Sequence, residues 1–316
     1  MRHAKGDLSI KVLDDGTDPK YLDKIKQIHP RVEIFRSREA DMKSKAIRAH
    51  LTKDCAYKII SLPVNFWQTQ IGNGSGIFLL LEEDAWLTDS VDAGHTSAMM
   101  NNHGIVTVKL FWGNCEKLVS GKFSTISNEL ETITPRLPTE NTLVVGPLIT
   151  NRWKLRSLLT KLAILKEDFL LPYYTLYTVS SAFFSKQYWQ YLFQDGSAKL
   201  NEGDQLFRAL MYKQRHAESG FAKTTTERVK TTYKTSSLNT FKSSFDMLRL
   251  NFRLSELWYK DQLLVDENLP SDFSTEYIRT SLGWSADHPD YLQWLKWITD
   301  FKSGYQRLGI ETGDNS

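Results

Sequence analysis

The chain has 316 residues, enough for one large domain or two smaller ones, and its 41% hydrophobic content predicts a globular protein with a sizeable core. Its 40 basic and 37 acidic residues give a formal net charge of only +3, which argues against nucleic acid as the main partner. No stretch approaches the roughly 18 apolar residues of a transmembrane helix, and no signal peptide is visible, so we expect a cytoplasmic protein or the soluble part of a larger one.

A β-α-β unit is predicted near the start of the chain. An apolar strand at 8–13 runs into Asp14 and Asp15, a helix follows at 19–28, and a second strand follows at 32–35. This order predicts parallel pairing of the two strands. Ligands bind beyond the carboxyl ends of such strands, so Asp14 and Asp15 could accept hydrogen bonds from a base or a ribose. The alternative is a strand-to-helix turn that is merely rich in Asp and Gly.

A helix is predicted at 39–51, with apolar residues spaced for one face. Lys43, Lys45 and Arg48 fall on or near the other face, where they could meet a diphosphate. The alternative is that this cationic face is simply solvated.

The chain is organised around an apolar strand, Gly76 to Leu81, that runs directly into Glu82, Glu83 and Asp84. The run of apolar residues predicts a strand buried on both faces, in the middle of a parallel or mixed sheet. Three consecutive acids at its end would repel each other unless a cation offset their charge, so we consider a divalent-metal site. In an extended chain Glu82 and Asp84 would point to the same side and act as oxygen ligands. The alternative is a solvated acidic turn.

The following residues alternate between predicted helices and strands. Helices are expected at 93–102, 153–169 and 186–193, and strands at 104–111, 143–147 and 174–184. A further helix should begin at Asp204, which we interpret as its N-cap.

The last third of the chain changes composition twice. Residues 221–244 are rich in Lys, Thr and Ser, which predicts a basic, flexible loop or linker. Residues 245–316 are aromatic-rich and predicted to be mainly helical. The predicted organisation is therefore a first domain at 1–220, the loop at 221–244 and the C-terminal segment at 245–316.

Three short motifs, in this order, resemble the GT-A-fold glycosyltransferases. They are Asp14-Asp15-Gly16-Thr17 after a strand, Leu81-Glu82-Glu83-Asp84-Ala85 at the end of a strand, and Gly203-Asp204-Gln205 at a helix start. The central motif resembles that of the lipopolysaccharide-type and collagen-modifying galactosyltransferases, and residues 8–20 are more similar to the family 2 transferases. The resemblance implies an α/β fold with a mixed, mainly parallel sheet flanked by helices.

The resemblance also implies a role for each acidic residue. Asp14 and Asp15 would hold the base and ribose of the donor. Glu82 and Asp84 would bind Mn²⁺ or Mg²⁺ together with the diphosphate, although Glu82 stands where the family has Asp. Asp204 would be the base that deprotonates the acceptor, and direct displacement would invert the anomeric configuration.

The expected function is transfer of a sugar from a nucleotide diphosphate donor to a hydroxyl of a glycan or lipid-linked glycan. One alternative is a catalytically silent glycan-binding or scaffold protein with the same fold. Another is a sugar-1-phosphate nucleotidyltransferase, but the Gly-rich phosphate loop of those enzymes is missing from the sequence. No nucleic acid partner is expected, and peripheral contact with a membrane stays open.

Overall fold

The computed structural model describes residues 3–53, 62–178, 181–194, 201–235, 245–263 and 271–313. The chain forms two compact units, each built from more than one segment. The sheet unit comprises residues 1–6, 67–230 and 308–311, and the helical unit comprises residues 7–66, 231–307 and 312–316. These boundaries differ from the three consecutive segments that composition suggested, because segments distant in sequence complete each unit.

The strands, in chain order, are β1 Ala4–Lys5, β2 Lys11–Asp14, β3 Glu33–Arg36, β4 Ile77–Leu80, β5 Ala85–Leu87, β6 Val91–Asp92, β7 Ile105–Lys109, β8 Gly121–Thr125, β9 Leu130–Pro135, β10 Ala182–Ser185, β11 Gly220–Thr224 and β12 Val229–Thr231. Six of them form the main sheet, in the order β4-β10-β7-β11-β9-β8. Only β7 and β11 pair in parallel, and the other four pairings are antiparallel. The mixed α/β class is confirmed, but a mainly parallel sheet is wrong because β10 opposes both of its neighbours and β8 and β9 form a hairpin.

The α-helices, in chain order, are α1 Pro19–Ile28, α2 Ala40–Lys53, α3 Val64–Gly72, α4 Ala93–Asn102, α5 Thr142–Ile149, α6 Leu155–Lys161, α7 Lys186–Leu192, α8 Glu202–Arg215, α9 Met247–Tyr259, α10 Thr275–Ser281 and α11 Pro289–Gln306. The predicted helices at 19–28, 93–102 and 186–193 are confirmed within a residue at each end. Within the described ranges, no helix has the length and apolar content needed to cross a bilayer.

Strand β4, which precedes the acidic residues, lies at one edge of the described sheet and pairs only with β10. All four of its residues are half-buried. Phe78 packs against Phe184 and Trp189, with ring centroids 6.1 Å apart in both pairs. The prediction of a central strand is therefore wrong, because these aromatic neighbours, rather than a second strand, cover its apolar side chains.

Between residues 143 and 175 the structure differs from the predicted strand and long helix. Residues 143–147 lie in α5, and the helix expected at 153–169 is divided into a 3₁₀ turn at Arg152–Lys154, α6, and a 3₁₀ helix at Glu167–Thr175. The break follows α6, where Ala163 takes a φ of 56° that an α-helix cannot contain. The strand expected at 174–184 is confirmed only as β10.

The basic segment at 221–244 is not a loop over its first part. Strand β11 lies between β7 and β9, and Phe221 and Ala222 are both 1% exposed. The chain continues through β12, which pairs with β5. The prediction of a flexible linker is thus wrong up to residue 235, because strand pairing and burial hold the segment, and residues 236–244 lie outside the described ranges.

In the helical unit, the predicted β-α-β unit is confirmed. Asp18 caps α1 by accepting a hydrogen bond from the Lys20 amide, and β2 and β3 pair in parallel with Asp14 opposite Arg36. The two strands form a separate sheet in the described structure. The aromatic C-terminal segment is helical as predicted, and its core contains Trp284, Trp294, Trp297 and Phe301.

Candidate functional site

Glu82, Glu83 and Asp84 form a tight turn that joins β4 to β5. The Ala85 amide donates a hydrogen bond to the Glu82 carbonyl at 3.1 Å, which closes the turn. Because the chain turns here, the extended alternation that we used to pair Glu82 with Asp84 does not apply. The two carboxylates are nevertheless close enough to repel each other, as their pKa values show.

Both outer carboxyls of the turn have raised pKa values. The pKa of Glu82 rises to about 8, mainly through burial and then through repulsion by Asp84, Glu83 and Glu202. The pKa of Asp84 rises to about 6, again through burial first and then through Glu83. Glu82 is exposed at the protein surface, so solvent screens part of this repulsion. Among the described residues, the charges that shift the pKa of Glu82 are all negative.

The start of α8 supplies an acidic residue that the sequence prediction missed, Glu202. The N-cap of α8 is Asn201, whose side chain accepts a hydrogen bond from the Gly203 amide at 3.1 Å. Asp204 therefore lies in the first turn and not at the N-cap, which corrects the prediction. Glu202 and Asp204 together place negative charge at the positive end of the helix dipole, and that pattern could have marked both residues.

Tyr177 contacts α8 and is close enough to Glu82 and Glu202 for both charges to act on it. It is buried, its hydroxyl donates to the Gln205 side-chain oxygen at 2.6 Å, and its pKa is raised well above the usual value. Burial is the main cause, but Glu202 and Glu82 both contribute. The acidic turn and the N-terminus of α8 thus act on the same hydroxyl, so they belong to one site in the sheet unit. We refer to Glu82, Glu83, Asp84 and Glu202 as the acidic site.

The acidic site offers ligands of the right chemistry for a hard cation. Carboxylate oxygens suit Mg²⁺ and Mn²⁺, and Mg²⁺ commonly binds one or two carboxylates together with phosphate and water. In the part of the chain that the structure describes, no group of three or more Asp, Glu, His or Cys side chains is arranged to hold an ion. Glu82 and Asp84 therefore fit such a cation only if a phosphate or water completes its coordination.

The predicted nucleotide residues lie in the helical unit, at the carboxyl ends of β2 and β3. Asp14 is only 4% exposed, and it accepts hydrogen bonds from Arg36 Nε at 3.0 Å and from the Thr17 amide at 2.9 Å. Asp15 accepts a hydrogen bond from the Ser37 hydroxyl at 2.6 Å. These carboxylates hold the strand ends together, which is the structural role that the sequence left open.

Lys43 also takes part in this network. It is only 3% exposed and forms an ion pair with Asp15. Gly16 allows this close approach, because it has a φ of 135° and a Cβ there would lie 2.8 Å from the Lys43 Cβ. The expected cationic face is therefore wrong for Lys43, whereas Lys45 and Arg48 are exposed on α2.

A cavity of about 400 Å³ opens elsewhere in the sheet unit and contains none of the predicted site residues. Its lining is polar and consists of Lys5, Ser90, Asp92, His95, Ser127, Asn128 and Glu129. The predicted metal ligands Glu82 and Asp84 thus lie in a surface turn and not in this cavity.

The predicted site residues fall into two groups, one in each unit. Glu82, Asp84 and Asp204 belong to the sheet unit, and Asp14, Asp15 and Lys43 belong to the helical unit. Comparisons with protein-family models, with curated proteins and with solved structures find no match for this chain.

The raised pKa values predict a pH dependence of stability without metal. Folded Glu82 and Asp84 titrate at about 8 and about 6, above their ordinary values of 4.5 and 3.8, so the folded state binds more protons between pH 4 and 8. The free energy of unfolding should therefore fall as pH rises through this window. Urea titrations should show that Glu82→Gln reduces the fall, whereas Glu116→Gln, at an exposed position of the same unit, leaves it unchanged. An identical pH profile in Glu82→Gln would contradict the shift.

Proposed function

We propose that this chain is a glycosyltransferase of the GT-A type, which moves a sugar from a nucleotide diphosphate donor to a hydroxyl of a glycan or lipid-linked glycan. The observation that supports this most is the acidic site. Glu82 and Asp84 lie in the turn after a strand, and Glu202 at the start of α8 adds negative charge close to them. The order of the three motifs in the sequence supports the same class.

In this proposal Glu82 and Asp84 bind the donor diphosphate through a divalent cation, Mn²⁺ or Mg²⁺. A bound cation of this kind offsets the negative charge that develops on the leaving diphosphate. Their own contribution is to fix the diphosphate at the end of β4, where the carboxylates already repel each other. A bound cation would relieve that repulsion, so binding of the cation together with the diphosphate would be favoured.

Asp204 is proposed as the base that takes the proton from the acceptor hydroxyl. It is half-buried in the first turn of α8, on the helix that also carries Glu202. A single base that activates the acceptor implies direct displacement and inversion at the anomeric carbon. Glu202 is the second candidate for this role, because its charge acts directly on Glu82.

Within the helical unit, Asp14 and Asp15 are proposed to contact a nucleotide, whereas Lys43 is not, because it is buried and forms an ion pair with Asp15. Their position at the carboxyl ends of two parallel strands supports this assignment. Their hydrogen bonds to Arg36 and Ser37 weigh against it, because the base or ribose would have to share the carboxylates with these donors.

A thermal-shift screen of nucleotide diphosphate sugars, with and without MnCl₂, tests the proposal. A ligand at 100 times its dissociation constant adds about 2.7 kcal/mol of stability, so a true donor should raise the melting temperature clearly. Asp84→Asn should abolish the manganese-dependent part of the rise while leaving the melting temperature of the free protein near that of the unaltered protein.

Two further measurements distinguish the alternatives, thermal shift with other ligands and slow hydrolysis of the donor by water. A transferase usually hydrolyses its donor slowly, whereas a silent glycan-binding or scaffold protein would be stabilised by glycans and would not hydrolyse the donor. A nucleotidyltransferase would instead respond to nucleoside triphosphates with a sugar-1-phosphate. If no nucleotide sugar stabilises the protein with or without manganese, the transferase proposal fails.

A further inference from the structure

Large apolar side chains are exposed over one short region of the sheet unit. Of the twelve large hydrophobic residues found exposed in the described chain, six lie between residues 143 and 164. Their exposed fractions reach 88% at Leu143, 78% at Trp153 and 69% at Ile164, and the others are Val144, Leu158 and Leu162. Exposed apolar residues that are scattered singly need no explanation, but a concentration of this kind marks an interaction surface. We refer to residues 142–166 as the Trp153 surface.

The Trp153 surface is also strongly basic. Residues 142–166 contain five cationic side chains and no Asp or Glu, although the whole chain is nearly neutral. Four of the five, Arg152, Lys154, Lys161 and Lys166, are exposed. The fifth, Arg156, donates to the carbonyls of Leu148 and Ile149 and so closes the end of α5. Four exposed cations therefore share this segment with the exposed apolar side chains, and the Arg152 guanidinium lies over the Trp153 ring, 4.4 Å from its centroid.

The backbone holds this surface in a defined form. Four of the six non-glycine residues with positive φ in the described chain lie here, at Asn151, Trp153, Lys154 and Ala163. A bulky residue such as Trp153 in the left-handed region is strained, and such strain persists only where the surrounding structure imposes it. Behind the surface, Val145 and Ile149 of α5 are fully buried, so Leu143 and Val144 project from an anchored helix. The Arg156 bonds to the carbonyls of Leu148 and Ile149 join α6 to the end of that helix.

We propose that the Trp153 surface docks the protein on an anionic membrane surface. Trp and Leu beside Lys and Arg suit the lipid interface, where the rings enter the headgroup region and the cations meet acidic headgroups. Each Lys or Arg near such a surface strengthens binding by electrostatic attraction to the acidic headgroups. A protein partner fits less well, because lysine is depleted in protein interfaces, whereas three of the four exposed cations of the Trp153 surface are lysines. The inference does not depend on the proposed transfer reaction.

Co-sedimentation of the full chain with lipid vesicles tests this proposal. We expect binding to phosphatidylcholine vesicles that contain about 30% phosphatidylglycerol, little binding to pure phosphatidylcholine, and a marked loss at about 0.5 M salt. The double variant Trp153→Ser/Leu158→Ser should bind at least about tenfold more weakly, because burial of either apolar side chain in the membrane increases the vesicle affinity by more than about tenfold. Lys154→Glu/Lys161→Glu should lose binding to a similar extent.

The matched control is Lys45→Glu/Lys122→Glu, which removes two exposed lysines outside the Trp153 surface and should bind as the unaltered protein does. Equal losses in the control and in Lys154→Glu/Lys161→Glu would overturn the proposal, since net charge alone would then explain binding. It also fails if the protein binds no vesicles, or if Trp153→Ser/Leu158→Ser instead converts a dimer to a monomer in light scattering. In the last case the surface contacts a second copy of the chain.

Discussion

Replacement of Lys109 by methionine should stabilise the protein at pH 6 and have little stabilising effect above pH 10.5. Lys109 ends β7, a central strand of the main sheet, and is only 2% exposed. Its ammonium donates a hydrogen bond to the Leu118 carbonyl at 2.9 Å, and burial lowers its pKa from 10.5 to about 7. No described carboxylate contributes to its pKa, and only Cys115 acts to raise it.

The sign of the pH dependence follows from the lowered pKa. Between pH 7 and 10.5 unfolded chains bind a proton at this lysine more often than folded ones, so stability rises with pH across that window. Below pH 7 the lysine is charged in both states, and the full cost of burying the charge is present. That cost is of order 3 to 5 kcal/mol, at 1.36 kcal/mol for each pKa unit. Methionine cannot donate a hydrogen bond to the Leu118 carbonyl, and this loss offsets about 1 to 3 kcal/mol of the stabilisation.

Chemical denaturation at pH 6, 8 and 10 measures this effect, with Lys122→Met as the control. Lys122 is exposed on β8 of the same sheet, so its replacement should not alter the pH profile. A Lys109→Met variant that is destabilised equally at every pH would show that the lysine is held in the charged state by contacts beyond the Leu118 carbonyl.

Short-range signals predicted many of the local elements correctly. Asp18 and Pro19 mark the start of α1, and β-branched residues mark β7, because caps and side-chain branching act within a few residues. The parallel pairing of β2 and β3 also followed from their order with α1. Elements of this kind can be predicted from sequence because the interactions that define them are local.

Helix α5 shows where local signals fail. Leu143, Val144 and Val145 favour a strand, and Pro147 argues against a helix, yet Asn141 caps the segment by accepting from the Leu143 amide at 3.1 Å. The position of Gly146 depends on a distant contact, because a Cβ there would lie 2.9 Å from the ring of Phe207. Packing against α8 thus decides the conformation, and no pattern within 142–149 contains that information.

The prediction of a flexible loop after Gly220 was wrong for a related reason. Its composition predicts disorder, but Lys223 is held by an ion pair with Glu131 at 2.6 Å and lies over the ring of Trp112, 4.7 Å from the centroid. Both partners are distant in sequence. The acidic turn at 82–84 could be predicted as a candidate site from its three consecutive acids, and Glu202 could be marked by the acidic first turn of α8. Their proximity to each other and to Tyr177 could not be predicted, because only the folded chain brings these residues together.

Replacement of Asp204 by asparagine should lower sugar transfer by about two to four orders of magnitude, the usual contribution of a general base. The donor should still bind, because the proposal assigns its diphosphate to Glu82 and Asp84. Transfer is measured with the nucleotide sugar that gives the largest thermal shift, and donor affinity is measured by calorimetry in the same buffer. Loss of turnover with unchanged affinity separates a base from a binding residue.

The structural alternative for Asp204 is a carboxylate that only stabilises the start of α8, where negative charge is worth about 0.3 to 1 kcal/mol. Asn201→Ala is the matched control, since it removes the observed N-cap bond and leaves both acids in place. If weakening of the helix start explained the loss, this control would reduce transfer as strongly as Asp204→Asn. If Asp204→Asn keeps full activity and Glu202→Gln loses it, the base is Glu202. The carboxylate that raises the pKa of Glu82 would then be the same one that takes the proton from the acceptor.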